Sequence, residues 1–254
     1  MLESTPYHRL QEHSIVRSPQ DNGTLFPGDT LFYSNAEFCN FSQEEHTCRV
    51  SKVTQAFSSH AGTHADNPSH FHPSPDCREF SQYVYQGEAV IIDVSKRLMG
   101  QKAITRTMIE EALADIVTLR KASQRRVLIR TNEAEKYPDA PTDQFVHFSK
   151  DAARFLADER LSDSRLPWIW DLPPTERFGM IGIDTPSVDH PTEKDLMRGV
   201  HGIFYDARIA IVENVDLGRQ KPAQGTLVTI FDPKRRFPDA KGIAEMYFFP
   251  SQQS

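Results

Sequence analysis

His60-Ala61-Gly62-Thr63-His64-Ala65-Asp66-Asn67-Pro68-Ser69-His70 brings three histidines and one aspartate into eleven residues, and four of the chain's ten histidines fall between His60 and His72. Neutral imidazole nitrogen beside a hard carboxylate oxygen is a donor set for a divalent ion. His60 and His64 stand four apart and Asp66 two further on, so one tight loop or turn aims all three at a single ion. Gly62 removes a side chain between the histidines and permits close backbone approach or an unusual φ. Pro68 stiffens the exit and biases Asn67 to an extended conformation. His70 lies beyond that rigid step, in the place of a general acid or base rather than of an evident ligand. The competing reading is a histidine-rich surface loop without metal.

Working outward, residues 49–58 mix β-branched and polar types and read as a strand leading into the histidine stretch. Residues 89–94 (AVIIDV) and 127–131 (VLIRT) are short apolar runs of the kind that form buried strands. Residues 179–184 (GMIGID), 208–213 (RIAIVE), 226–231 (TLVTIF) and 245–249 (EMYFF) add further strands, the last closing the sheet. Thr107 and Glu110 fit a capping box for a helix over 106–120 with Ile109, Ala112, Leu113 and Ile116 at helical spacing. Ser149 caps a second helix whose apolar face is Ala152, Phe155 and Leu156. Leu25 to Thr30 is a turn marked by Pro27-Gly28-Asp29, and residues 161–177 form a long loop rich in Pro, Asp, Arg and Trp. Strands outnumber helices and the helices fall between them, which argues an α/β or α+β domain with a mixed sheet. Residues 1–20 read as an irregular arm and 21–254 as one domain.

The 254 residues suffice for one large core, with 38% hydrophobic content and a net charge of −6. That balance offers no electrostatic footprint for nucleic acid; Arg125-Arg126 and Lys234-Arg235-Arg236 are short basic runs at element ends. No apolar leader segment and no run of about 18 apolar residues is present, so a cytoplasmic protein without a membrane span is expected. The three cysteines, Cys39, Cys48 and Cys77, form no Cys-x-x-Cys and imply neither a disulfide framework nor a thiolate zinc site.

His201 and Glu213 supply a second set of donors twelve residues apart. Glu213 ends an otherwise apolar strand, where an unpaired carboxylate is costly and a cation is needed. On spacing alone, a strand-end surface acid and a loop histidine describe the two better than a metal role does.

The histidine stretch matches the pattern His-x-Gly-Thr-His-x-Asp-x-Pro-x-His, and with it the chain resembles the metal-dependent cyclase/amidohydrolase family, which includes the bacterial kynurenine formamidases (arylformamidases). Phe26-Pro27-Gly28-Asp29, Val127 to Thr131, Gly182 to Asp189, and His201 with Glu213 extend the resemblance over roughly Phe26 to Phe249. The resemblance implies His60, His64 and Asp66 as ligands of one metal, Asp66 bridging to a second held by His201 and Glu213, and His70 as the catalytic proton donor and acceptor. It also implies a swivelling β/β/α fold and a homodimer. The family's formamidases carry Trp where this chain has Phe26, so the expected substrate pocket keeps an aromatic wall and loses an indole N–H. The 161–177 connection is longer than is usual in the family.

The activity implied is metal-dependent hydrolysis of an aryl amide, first of all N-formylkynurenine to kynurenine and formate. One or two Zn2+ ions are expected, Mn2+ being the second choice. Hydrolysis of a cyclic amide or lactone such as isatin, and a cyclase or dehydratase reaction, stay open beside it, with a non-catalytic metal-binding protein more remote. Trp168 and Trp170 either stack on an aryl substrate or pack in the core or dimer interface.

Overall fold

Gly87–Asp93, Arg126–Arg130, Gly179–Ile183 and Ile209–Glu213 carry nearly unbroken apolar sequence because they run parallel, side by side, and are covered on both faces. The computed structural model describes residues 10–20, 25–26, 33–43, 46–71, 79–116, 126–132, 144–162 and 179–251, with side chains described outside 36–54 and 158–162. In chain order the strands are β1 (Tyr33–Gln43), β2 (His46–Ala56), β3 (His64–Asp66), β4 (Gly87–Asp93), β5 (Ala103–Ile104), β6 (Arg126–Arg130), β7 (His147–Phe148), β8 (Gly179–Ile183), β9 (Ile209–Glu213), β10 (Ala223–Arg236) and β11 (Ala240–Pro250). The helices are α1 (Arg106–Ala114), α2 (Lys150–Ser162) and α3 (Val200–Asp206). Seven strands close a barrel in the order β10-β11-β3-β9-β8-β6-β4, while β1 with β2 and β5 with β7 form two-stranded sheets. The mixed α/β architecture expected from the strand pattern is the one observed.

Alternation along the parallel strands divides the core in two. Val90, Ile92, Val127, Ile129, Ile181, Ile183, Ile209 and Ile211 face Met108, Ile109, Ala112, Ala152, Leu156 and Phe204 of the helices. Ala89, Ile91, Leu128, Met180, Ala210 and Val212 face the other way, against Leu227, Ile243, Met246 and Phe248 of the antiparallel half. Residues 10–20 lie along β11: Ile15 N donates to Met246 O at 2.8 Å, Phe248 N to His13 O at 2.9 Å, and Ile15 is fully buried.

Three expectations change. The histidine stretch is not all loop: His64–Asp66 is strand β3, seated between β9 and β11. Helix α1 ends at Ala114, short of 120, and its cap is Thr105, whose hydroxyl accepts from Met108 N at 3.4 Å. Thr107 is therefore inside the helix, and Glu110 binds Arg106 at 2.8 Å instead of reaching back to a cap. Helix α2 starts as expected, with Ser149 Oγ accepting from Ala152 N at 3.1 Å, and continues to Ser162 into the segment read as loop. Residues 163–178, with Trp168 and Trp170, lie outside the described residues, as do residues 1–9, Pro27 to Asp29, His72 and Cys77.

Candidate metal centre

Extended backbone puts residues two apart on the same face. In β3 this aims His64 and Asp66 the same way, while Ala65 between them joins the core inside the barrel. The register then sets His64 opposite Glu213 on β9, so a strand-end carboxylate arrives beside the histidine without any loop. His60 comes from the turn before β3. Gly62 holds φ +67° there, and a Cβ at that position would meet the backbone of Arg17, Ser18 and Pro19 at 2.6–2.7 Å, so the close approach expected of this glycine is real.

His201 comes from the first turn of α3. Asp189, ahead of the helix, accepts from Val200 N at 2.6 Å and from His201 N at 3.1 Å, and its Oδ2 lies 2.6 Å from His201 Nδ1. One carboxylate thereby caps the helix and orients the ring, leaving Nε2 to point at Asp66 Oδ2, 3.1 Å away. Asp189 was not singled out from the sequence, although it ends the quoted segment Gly182 to Asp189.

The five residues converge. His60 Nδ1 and His64 Nε2 are 2.9 Å apart, and each is 3.3 Å from Asp66 Oδ1. Glu213 Oε2 lies 3.5 Å from His64 Nε2, and Oε1 lies 3.6 Å from His201 Nε2. Asp66 and Glu213 each turn one oxygen to the His60/His64 side and the other to His201. Glu213 Oε1 also accepts from Val188 N at 2.8 Å. His64, Asp66, His201 and Glu213 are all buried, at most 3% exposed.

This donor set fits a divalent cation. Asp66 Oδ1 is buried without a hydrogen-bond partner, although two imidazole nitrogens face it. Two buried carboxylates need positive charge, and their ion-pair partners among the described residues are histidines. Burial opposes charge on His60 and His201, yet Asp239 and Asp66 raise the first to about 10, and Asp189 and Asp66 raise the second to about 10. A bound ion would displace those protons and supply the charge itself. Burial and the charge of Asp66 raise Glu213 against His64 and His201. His60, His64, Asp66 and Glu213 each bring a ligand atom within 4.8 Å of the others.

A cavity of about 270 Å³ opens over this cluster, lined by Phe26, His70, Pro186, Ser187, Lys194 and Leu196 together with His60, His201 and Glu213. His70 ends a short 3₁₀ turn begun by Pro68, and its ring centroid is 4.2 Å from that of His60 and 6.1 Å from that of His201. Burial and the charges of His60, His201 and His64 push His70 down to about 4 against the pull of Asp66. Phe26 packs on Phe145 at 5.9 Å between centroids and is part of the cavity wall. Of the seven residues singled out from the sequence, Phe26, His60, His70, His201 and Glu213 line this cavity, while His64 and Asp66 lie against His60, His201 and Glu213 without lining it.

Residues 6–164 match the family described as "Putative cyclase". A kynurenine formamidase of Bacillus thuringiensis (strain Al Hakam) is 30% identical over 212 residues, which cover 82% of this chain and 84% of that protein. A kynurenine formamidase of Bacillus anthracis is 30% identical over 205 residues, covering 80% and 81%. Among solved structures, isatin hydrolase A from Labrenzia aggregata superposes with a TM-score of 0.62 at 17% identity, over 92% of this chain and 91% of that one. A "predicted metal-dependent hydrolase" from Bacillus stearothermophilus gives 0.61 at 16% identity, over 93% and 97%.

Proposed function

Because this chain belongs to the cyclase family and is a metal-dependent amidohydrolase by kinship with the formamidases, we propose that it hydrolyses an aryl amide, N-formylkynurenine first, to kynurenine and formate. The observation that carries the reading is the convergence of His60, His64, Asp66, His201 and Glu213 under a cavity that also holds His70 and Phe26. His60, His64 and Asp66 would hold one ion, and Asp66, Glu213 and His201 a second. Zinc suits these nitrogen and carboxylate donors best and manganese next. Bound there, such an ion supplies Lewis acidity to the amide carbonyl and to water.

The chain's own residues do the rest. His70 is neutral at neutral pH, so its free ring nitrogen takes the proton of the attacking water. It then returns that proton to the leaving nitrogen, which departs as an arylamine. Phe26 and Leu196 offer the aryl ring an apolar wall. Asp189 and the β3–β9 register hold the ligand side chains in place before substrate arrives.

The test is hydrolysis of N-formylkynurenine by zinc- and manganese-loaded protein, with isatin in parallel. His70→Ala should keep its metal and lose roughly 10²–10⁴-fold in kcat. Cleavage of isatin alone would move the substrate to the cyclic amides. Full activity of metal-free protein would overturn the mechanism.

A further inference from the structure

We propose that Asp239, on the turn between β10 and β11, is a positioning residue that holds the outer edge of His60 and so commits its Nδ1 to the metal centre. The inference rests on the reading of His60 as a ligand. A neutral imidazole carries one proton, and whichever nitrogen keeps it cannot bind a cation. His64 and His201 have this choice made for them: His64 Nδ1 is 3.0 Å from Gly62 O, and His201 Nδ1 is 2.6 Å from Asp189 Oδ2. In both rings Nε2 is left for the centre.

His60 is turned the other way round, with Nδ1 inward, 2.9 Å from His64 Nε2 and 3.3 Å from Asp66 Oδ1. Its proton must then sit on Nε2. That atom is buried without a hydrogen bond, and Asp239 Oδ2 stands 3.5 Å from it, an ion-pair distance at the outer edge of hydrogen bonding. The same Oδ2 accepts from Ser59 Oγ at 2.8 Å, so the carboxylate is fixed by the residue next to the one it serves.

The turn carrying Asp239 is tied to both ends of the histidine stretch. Asn67 N donates to Asp239 O at 3.0 Å, Asn67 Nδ2 to Phe237 O at 2.9 Å, Ser69 Oγ to Pro238 O, and Arg235 Nη2 to Ala61 O. Asp66 pairs with Ala240, the residue after Asp239, in the β3–β11 register. Such ties fix where the carboxylate stands relative to the ring. An ordinary surface acid would not need them, and the Asp239 side chain is 41% exposed.

The experiment measures zinc affinity of full-length, chelator-stripped protein by competition with a chromophoric chelator, beside the protonated nitrogen of His60 by 15N NMR in the zinc-loaded form. Loss of such an outer partner costs about 10–100-fold in metal affinity. Asp239→Asn is expected to weaken zinc binding by that factor, Asp239→Glu to recover most of it, and native His60 to carry its proton on Nε2. Native-like zinc affinity in Asp239→Asn, or a proton on Nδ1 of His60 in the loaded native protein, overturns the inference. If His64→Ala loses zinc while Asp239→Asn does not, the metal centre stands and only this role falls. If neither variant changes zinc binding, both readings fall. Should Asp239→Asn fail to fold, Ser59→Ala, which keeps the carboxylate and frees it, is expected to lose severalfold in affinity; no loss overturns the proposal.

Discussion

Gly199 has no room for a side chain because Asp189 occupies the place: a Cβ would stand 2.6 Å from both carboxylate oxygens. Gly199→Ala must therefore push Asp189 off the start of α3 and loosen the atom that orients His201. The expected result is a drop of roughly tenfold or more in zinc affinity with the rest of the fold kept, read by the same chelator competition. Unchanged affinity would mean that His201 needs no such support. At this scale the candidate ligands His60, His64 and Asp66 were legible in the sequence because they crowd into one short segment. Asp189 and Asp239 were not, since a carboxylate acting through another side chain leaves no spacing of its own; only the Pro238-Asp239 turn hints at the second.

Strands β6 and β8 are locked at their ends by Asp184, whose carboxylate accepts from Thr131 N at 2.9 and 3.1 Å, from Thr131 Oγ1 at 2.6 Å and from Asn132 N at 3.0 Å. Burial nevertheless outweighs these donors and pushes Asp184 up from 3.8 to about 6. A raised acid takes up its proton more readily folded than unfolded, so this group's contribution to stability is full below pH 3.8 and declines as pH rises to about 6. Asp184→Ala strips the two buried donors of Thr131 and the half-buried N–H of Asn132 of their acceptor and is expected to destabilise by about 3 kcal/mol at pH 7. The deficit should widen towards pH 4, by an amount on the order of 3 kcal/mol from the shift. Urea unfolding at the two pH values measures both; a deficit that narrows on acidification contradicts the sign. The parallel strands were the most readable elements, because burial on both faces leaves continuous apolar runs. β3 was hidden because its three residues, His64, Ala65 and Asp66, offer only one small apolar side chain, too little for a pattern. The start of α1 was misread because Thr105 and Thr107 both suit a cap, and only the path of the chain out of β5 chooses between them.

Taken whole, the barrel gathers its candidate ligands from β3, β9, α3 and the turn before β3, so one bound ion would join segments some 150 residues apart. An ion held by the folded chain and not by the unfolded one adds stability by mass action, about 4 kcal/mol at a thousandfold excess over its Kd. For a chain of this size that raises the melting midpoint by roughly 10 °C. Chelator treatment should lower the midpoint by that amount and zinc should restore it. A midpoint indifferent to both would sink the metal centre. The closed barrel could not be foreseen from the strand count, because closure depends on β3 linking the parallel and antiparallel halves, and β3 was the strand that the pattern did not reveal.

That linking strand has a consequence for how the molecule is made. β3 emerges from the ribosome long before both its neighbours, β9 and β11, are translated. Until they emerge the histidine-rich segment waits without its sheet partners, as does the nascent half-barrel beside it. Loading of the ion is thereby expected to wait until β9 and the turn bearing Asp239 have cleared the exit tunnel.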